Sequence, residues 1–296
     1  MTSPFTLEWT VQEQDAGKTV KQFLQEKSIS KAALTEIKFN GGDILVNGGH
    51  VTVRNVLNAE ETITVIFPDE EVSPSLVPEN LSLAIVYEDD YLLVVNKPPF
   101  MSTIPSREHP TGSLANGLMG YYETIGLHTS PHIVTRLDRN TSGLVLIAKH
   151  RHIHHLFSKN QREGTIKRGY EAFVEGPLLQ AKGTIKAPIG RKAGSIIERA
   201  VLEGGQYACT HFEVIENYPL LTHIKLQLET GRTHQIRVHM ANIGHPLLGD
   251  DLYGGKIDLI QRHALHCKRL SFVHPMTKAV FSFTAELTED MERLIR

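Results

Sequence analysis

The stretch Pro68-Asp69-Glu70-Glu71-Val72-Ser73-Pro74, followed by Pro78-Glu79-Asn80, is acidic, proline-rich and without an apolar period. Such a segment joins neither a helix ladder nor the interior of a sheet, so it reads as an exposed connector. It divides the chain into an N-terminal module over residues 1–68, a linker over 69–82 and a larger domain over 83–296. With 296 residues and 41% hydrophobic content, the sequence can bury one sizeable core and a small accessory one.

No basic-then-apolar leader opens the sequence, and no apolar run approaches the roughly 20 residues of a membrane helix. Cys209 and Cys267 fall in no paired metal or redox spacing, which argues against a disulfide framework or structural zinc. A cytoplasmic protein, monomeric and away from membranes, is expected. The formal net charge is −2, but it is unevenly spread. Residues 1–82 hold six Lys/Arg against twelve Asp/Glu, which leaves 25 against 21 for the rest of the chain. A surface that grips phosphates should therefore lie mainly in the C-terminal part.

In the N-terminal module, Thr19 to Glu26 reads as a helix, and Ser30 caps a second one running through Leu34 and Ile37 to the glycines at 41 and 42. Ile44-Leu45-Val46 before Asn47-Gly48-Gly49, and the β-branched run Thr62 to Phe67, read as strands. This order, with Gly42-Asp43-Ile44-Leu45-Val46-Asn47-Gly48, resembles the α-L RNA-binding module. Its few helical cations, Lys27, Lys31 and Lys38, leave two readings open, an RNA contact or a purely structural role.

In the larger domain, Leu83 to Tyr87 and Tyr91 to Asn96 read as strands around a Glu88-Asp89-Asp90 turn, followed by a helix over Ser113 to Tyr122. Further strands are expected at Leu144 to Ala148, Tyr170 to Val174 and Ile224 to Glu229. The irregular alternation and the lack of Gly-rich turns argue against a nucleotide-binding fold. The expectation is α+β: a mixed, largely antiparallel sheet with a cleft and flanking helices, plus the small α/β module.

The densest polar constellation is Arg136-Leu137-Asp138-Arg139-Asn140-Thr141-Ser142-Gly143, directly ahead of the apolar run Leu144-Val145-Leu146-Ile147-Ala148. A polar, glycine-ended loop on a buried strand presents side chains from a rigid edge. Two flanking arginines favour the ionised form of Asp138. Spacing alone does not establish catalysis, and a salt-bridged or turn-capping aspartate is the plainer reading.

Arg136-Leu137-Asp138-Arg139 with Thr141-Ser142-Gly143-Leu144 and Ala148-Lys149 resembles the signature of the RluA/RluD family of pseudouridine synthases. So do Val94-Val95-Asn96-Lys97-Pro98-Pro99, and Lys167 with Tyr170, Ala172, Val174 and Gly176. Thr230-Gly231-Arg232-Thr233-His234-Gln235-Ile236-Arg237-Val238-His239, Gly244-His245-Pro246, Gly249-Asp250, Leu252-Tyr253-Gly254 and Ala264-Leu265-His266 complete the pattern. Ordered motifs across residues 83–290 are far more specific than any one of them.

The resemblance implies that Asp138 is the essential aspartate, acting as nucleophile or general base while a base–ribose bond to nitrogen is remade to carbon. It implies that Tyr170 stacks on a flipped uracil, and that Arg237 pairs with Asp138 and holds it ionised. Arg136 would fill the gap the flipped base leaves, with a phosphate contact as the alternative. Arg139, Arg232, His234 and Gln235 are expected on the RNA-binding surface, with loop stabilisation the other reading for Arg232, together with Lys97, for which a solvated turn lysine is the other reading. The partner would be structured RNA, rRNA ahead of tRNA. The product is an isomer of the substrate, so the net chemistry calls for no cofactor, nucleotide or metal.

Two positions depart from the family pattern. Thr135 stands where histidine often precedes Arg-Leu-Asp, and Phe100 follows the two prolines where glycine is usual.

His150, His152, His154 and His155 follow the central strand, and His150/His154 have helical i, i+4 spacing. Without an intervening Glu or a nearby Cys they read as a solvated or RNA-facing helix, not a zinc site. Gly254-Gly255-Lys256 lacks the rest of a phosphate-binding loop. The competing readings are a non-catalytic RNA-binding or ribosome-assembly factor on the same fold and, more remotely, a metal-dependent hydrolase built on Asp89, Asp90 and the histidines.

Overall fold

The computed structural model describes residues 4–295. Its first unit comprises β1 (Thr6–Thr10), α1 (Val20–Glu26), α2 (Lys31–Phe39), β2 (Asp43–Val46), β3 (Gly49–His50) and β4 (Thr62–Ile66). Thr19 and Gln22 form a capping box at the start of α1, and Ser30 Oγ accepts the Ala33 N–H at the start of α2. Val20, Phe23 and Leu24, spaced i, i+3, i+4, turn to one side of α1 and meet Leu34, Ile37, Ile44, Ile63 and Val65 in a core of their own. The sheet runs β1-β4-β2-β3. β1 precedes both helices, a strand that the sequence does not announce.

The second unit follows with β5 (Ile85–Glu88), β6 (Leu92–Lys97), α3 (Leu114–Thr124), β7 (His132–Ile133), β8 (Ser142–Ala148), α4 (Arg151–Arg162) and β9 (Lys167–Glu175). It continues through β10 (Lys182–Lys186), β11 (Ile189–Arg191), β12 (Arg199–Val201), β13 (Cys209–Asn217), β14 (Leu221–Leu228) and α5 (Gln235–Asn242). β15 (Leu265–Val273), β16 (Val280–Thr284) and α6 (Glu289–Glu292) complete it. The main sheet has the order β10-β13-β14-β9-β15-β8-β6-β5, with β16 paired to β15 and β7 to β8. Leu92 to Val95 and Leu144 to Ala148 are fully buried, as continuous apolar runs in central strands must be.

Among the described residues, the strand pairs of this sheet are antiparallel except β8 with β15, where His266 faces Ser142 and Cys267 faces Gly143. At that junction the strands come so close that a Cβ on Gly143 would lie 2.4 Å from the Cys267 carbonyl oxygen, and Gly143 has φ +111°. Only glycine meets both conditions. It lets β8 enter the sheet while the loop before it stays at the edge.

The connector is not a free linker. Glu70 accepts from the Arg151 N–H (2.7 Å) and bonds His132 Nε2 (2.6 Å), while Glu79 bonds the Gly112 N–H (2.6 Å) and Asn116 Nδ2 reaches the Val77 carbonyl (2.8 Å). The histidine cluster also departs from the expectation of a solvated helix. The Phe5 ring stacks on His150 at 3.9 Å, Phe67 lies over His152 at 5.2 Å, and Arg151 reaches Glu36 of α2 at 3.1 Å. These contacts seat the first unit on the start of α4. Among the described residues, no helix is long and apolar enough to cross a membrane.

Candidate active site

The loop between β7 and β8 enters the site by alternation. Leu137 is buried and tied at both ends, its carbonyl accepting from Thr103 Oγ1 (2.7 Å) and its N–H donating to the same oxygen (3.2 Å). Its neighbours Arg136 and Asp138 therefore turn outward, into a cleft of about 440 Å³. That size suits one nucleoside. Further ties hold the loop backbone: Thr141 N–H to the Asp138 carbonyl (3.0 Å), Arg262 to the Asn140 carbonyl (3.0 Å), and Thr141 Oγ1 to His263 Nε2 (2.7 Å).

Lys97 belongs to this clamp and not to an RNA-facing surface, which corrects both earlier readings of it. Its side chain is fully buried at the end of β6, and Nζ donates to the carbonyls of Pro98 (2.9 Å), Met101 (2.8 Å) and Arg139 (3.3 Å). Burial pulls its ammonium down to about 7, against the opposing attraction of Asp138. Gln235 lines the cleft from a braced position. It is buried, takes the Arg232 N–H (3.0 Å) and Thr230 hydroxyl (2.7 Å) on Oε1, and gives Nε2 to the Cys209 carbonyl (3.0 Å), so it braces the loop from inside.

Arg237, near the start of α5, sits with its guanidinium between two carboxylates. Nε and Nη2 bond both oxygens of Asp250 at 2.7 Å, and Nη1 stands 3.4 Å from Asp138 Oδ2. The implied pairing with Asp138 is thus present, but the closer partner is Asp250, a fully buried residue to which the sequence reading gave no role. The Tyr253 ring covers the guanidinium at 4.9 Å. Although burial opposes its charge, the Asp250 bonds raise the Arg237 pKa, so the cation is secure and its free edge faces Asp138.

His234 adopts a left-handed conformation (φ 56°) at the N-cap of α5, which turns its ring back toward Asp138. Nε2 lies 3.8 Å from Asp138 Oδ2, and Nδ1 is 2.8 Å from the Tyr253 hydroxyl. That hydroxyl accepts the Arg199 N–H (2.9 Å), leaving its own proton free for Nδ1 and the ring proton on Nε2, toward the carboxylate. Burial depresses the His234 pKa, with Asp138 pulling the other way.

Tyr170, on β9, lines the same cleft and is nearly fully buried, so burial raises its phenol pKa and keeps it protonated at neutral pH. Arg136, Arg139 and Arg232 are exposed at the cleft wall, and Arg232 Nε donates to the Tyr207 carbonyl (3.0 Å). A further cation, Arg168, was not singled out in the sequence. It lines the cleft two residues before Tyr170, and a Cβ on Gly231 would lie 2.5 Å from its Nη2, so this glycine makes room for the guanidinium. The local signal was present in the sequence, because alternation along β9 puts Arg168 on the Tyr170 face. Phe100, where the family pattern has glycine, takes φ +65° and stands half exposed at a turn. Thr135, the other departure, is buried and accepts the Leu146 N–H (2.9 Å), a bond that fixes the loop to β8.

A family model described as RNA pseudouridylate synthase matches residues 91–242, a span containing Asp138, Tyr170 and Arg237. An uncharacterized RNA pseudouridine synthase of Bacillus subtilis (strain 168), YjbO, is 53% identical over 278 residues, covering 94% of this chain and 98% of that one. The ribosomal large subunit pseudouridine synthase D of Pseudomonas aeruginosa is 35% identical over 263 residues, covering 84% and 82%. Among solved structures, human RNA pseudouridylate synthase domain containing 1 superposes with a TM-score of 0.58 at 22% identity, over 76% of this chain and 96% of that one, a likeness of fold. The chain belongs to the RNA pseudouridylate synthase family and is an isomerase of the RluA/RluD type.

Proposed function

We propose that this enzyme isomerises uridines in large-subunit rRNA, using Asp138 as its reacting carboxylate. One observation carries the reading. Among the described residues, Asp138 is the only carboxylate in the cleft lining, and it faces a guanidinium whose other edge is fixed by Asp250. A carboxylate so held is aimed into the cleft without being tied up by a short contact, which suits either attack on the ribose or removal of a proton.

In this reading the target base leaves its helix and enters the cleft against the Tyr170 ring, while Arg136 fills the vacated space and offsets part of the few kcal/mol of lost stacking. The bond from ribose C1′ to uracil N1 breaks, the ring turns, and C1′ bonds C5. N1 gains a proton and C5 loses one, so the product is an isomer. Arg139, Arg168 and Arg232 contact phosphates at the rim. Relatives bearing the name ribosomal large subunit pseudouridine synthase D favour rRNA over tRNA as substrate.

Tritium release from RNA labelled at uracil C5 tests the proposal. Wild-type protein should release tritium from large-subunit rRNA transcripts and Asp138→Ala should not. Release by both proteins, or by neither on rRNA and tRNA pools alike, would overturn it.

A further inference from the structure

Away from the Asp138 cleft, three metal-binding side chains converge at the start of β13 and just past the end of β14. His211 Nε2 is 2.8 Å from Glu229 Oε1 and 3.8 Å from Cys209 Sγ, and the three donor atoms all lie within 4.8 Å of one another. Cys209 and His211 share a face of β13 because they are two residues apart, and the Glu229 N–H bond to the Cys209 carbonyl (3.2 Å) brings the carboxylate to the same place. This adjacency comes from strand pairing across 20 residues, so no local spacing in the sequence announces it.

We propose that Cys209, His211 and Glu229 form a binding site for one zinc-class divalent cation. Tetrahedral zinc with sulfur, nitrogen and oxygen ligands needs its donors about 3.3 to 3.7 Å apart, so donors that lie within 4.8 Å of one another close on the ion by side-chain shifts of up to about 1 Å. The ligand set mixes thiolate, imidazole and carboxylate, which selects zinc or cobalt over magnesium or calcium. Thr184 Oγ1 bonds His211 Nδ1 at 2.9 Å, directing Nε2 to the site as an outer partner does in metal centres. The Tyr207 hydroxyl donates to Glu229 Oε2 at 3.3 Å, and a water would complete the four ligands. Binding displaces the thiol proton to solvent, so affinity falls as pH falls.

The site abuts the cleft. Cys209 N–H donates to Thr230 Oγ1 (3.1 Å) and its carbonyl takes Gln235 Nε2 (3.0 Å), so a cation there fastens the strand from which the Thr230–Gln235 loop hangs. It acts on the rigidity of that loop and takes no part in the isomerisation.

Chelator-treated full-length protein is titrated with zinc against a chromophoric competitor, and with cobalt by absorption spectroscopy. One equivalent of zinc should bind the wild type, and His211→Ala and Glu229→Gln, at partly exposed positions, should each weaken it by at least about tenfold. Cobalt should give a thiolate-to-metal charge-transfer band, assignable to Cys209 because the other cysteine, Cys267, is fully buried in the main core. Equal zinc uptake by wild type and both variants would overturn the proposal, since the protein has 16 histidines that could bind zinc loosely. Absence of the thiolate band would overturn it equally.

Discussion

Asp250 holds Arg237 by two 2.7 Å contacts, while Asp138 receives the remaining nitrogen of the same guanidinium at 3.4 Å. The buried acid fixes the position of the cation, and the half-exposed acid feels its field. One arginine thus serves packing and reactivity together.

Asp250→Asn keeps the shape of this arrangement but removes the charge that holds the buried guanidinium. Breaking such a pair costs about 3 to 5 kcal/mol of stability. Loss of alignment should lower turnover on the order of a hundredfold with RNA affinity little changed. Thermal melts, tritium release and filter binding together check this, and wild-type turnover in the variant would contradict it.

Asp138→Asn should behave in the opposite way. Its side chain is 30% exposed and makes no short ion pair, so stability should move by no more than about 0.5 kcal/mol. Tritium release should fall roughly a thousandfold or more. A large drop in melting temperature would show that the carboxylate is structural instead.

Gly143→Ala places a Cβ against the Cys267 carbonyl at a backbone angle that L-residues rarely adopt. We expect a loss of about 3 kcal/mol or more, visible as a lowered denaturant midpoint or as insoluble protein. Gly254→Ala, with nothing within 4 Å of the added carbon, is the control for a positive φ alone.

Stability should fall in mild acid. Burial depresses the pKa values of His152 and His266 to about 4, whereas the unfolded chain titrates near the ordinary 6.5. The unfolded state takes up protons first, so stability is complete above about pH 6.5 and is lost as pH falls toward 4, by up to about 3 kcal/mol for each histidine. Melts between pH 7.5 and 4.5 should show the decline, and His152→Gln should flatten it. An unchanged slope in that variant would remove His152 from the account.

The reactive loop and the first three helices were legible in the sequence because their signals are local. A polar, glycine-ended segment abuts an unbroken apolar run at Leu144, and Thr19, Ser30 and Ser113 each cap the helix that follows. The antiparallel character of the sheet followed from the irregular order of strands. What escaped depends on side chains meeting from distant places. Lys97 looks like a turn lysine until the Arg139 carbonyl, 42 residues on, is seen to receive it. The histidines of α4 look solvated because helical spacing says nothing of Phe5 and Phe67. Asp250 sat inside a quoted motif with no assigned partner, since only the fold brings it onto Arg237. β1 was missed because Thr6-Leu7-Glu8-Trp9-Thr10 buries just Leu7 and carries a charged residue at its centre.

The parallel seam between β8 and β15 sets an order of events on the nascent chain. Asn140 is tied down by Arg262, 122 residues later, and Thr141 by His263 at the same remove. At the ribosome's pace of about 5 to 20 residues per second, the segment bearing the reactive acid waits several seconds or more for those partners. An incomplete polypeptide therefore already holds the carboxylate but not its alignment, and should be chemically silent toward the RNA around it.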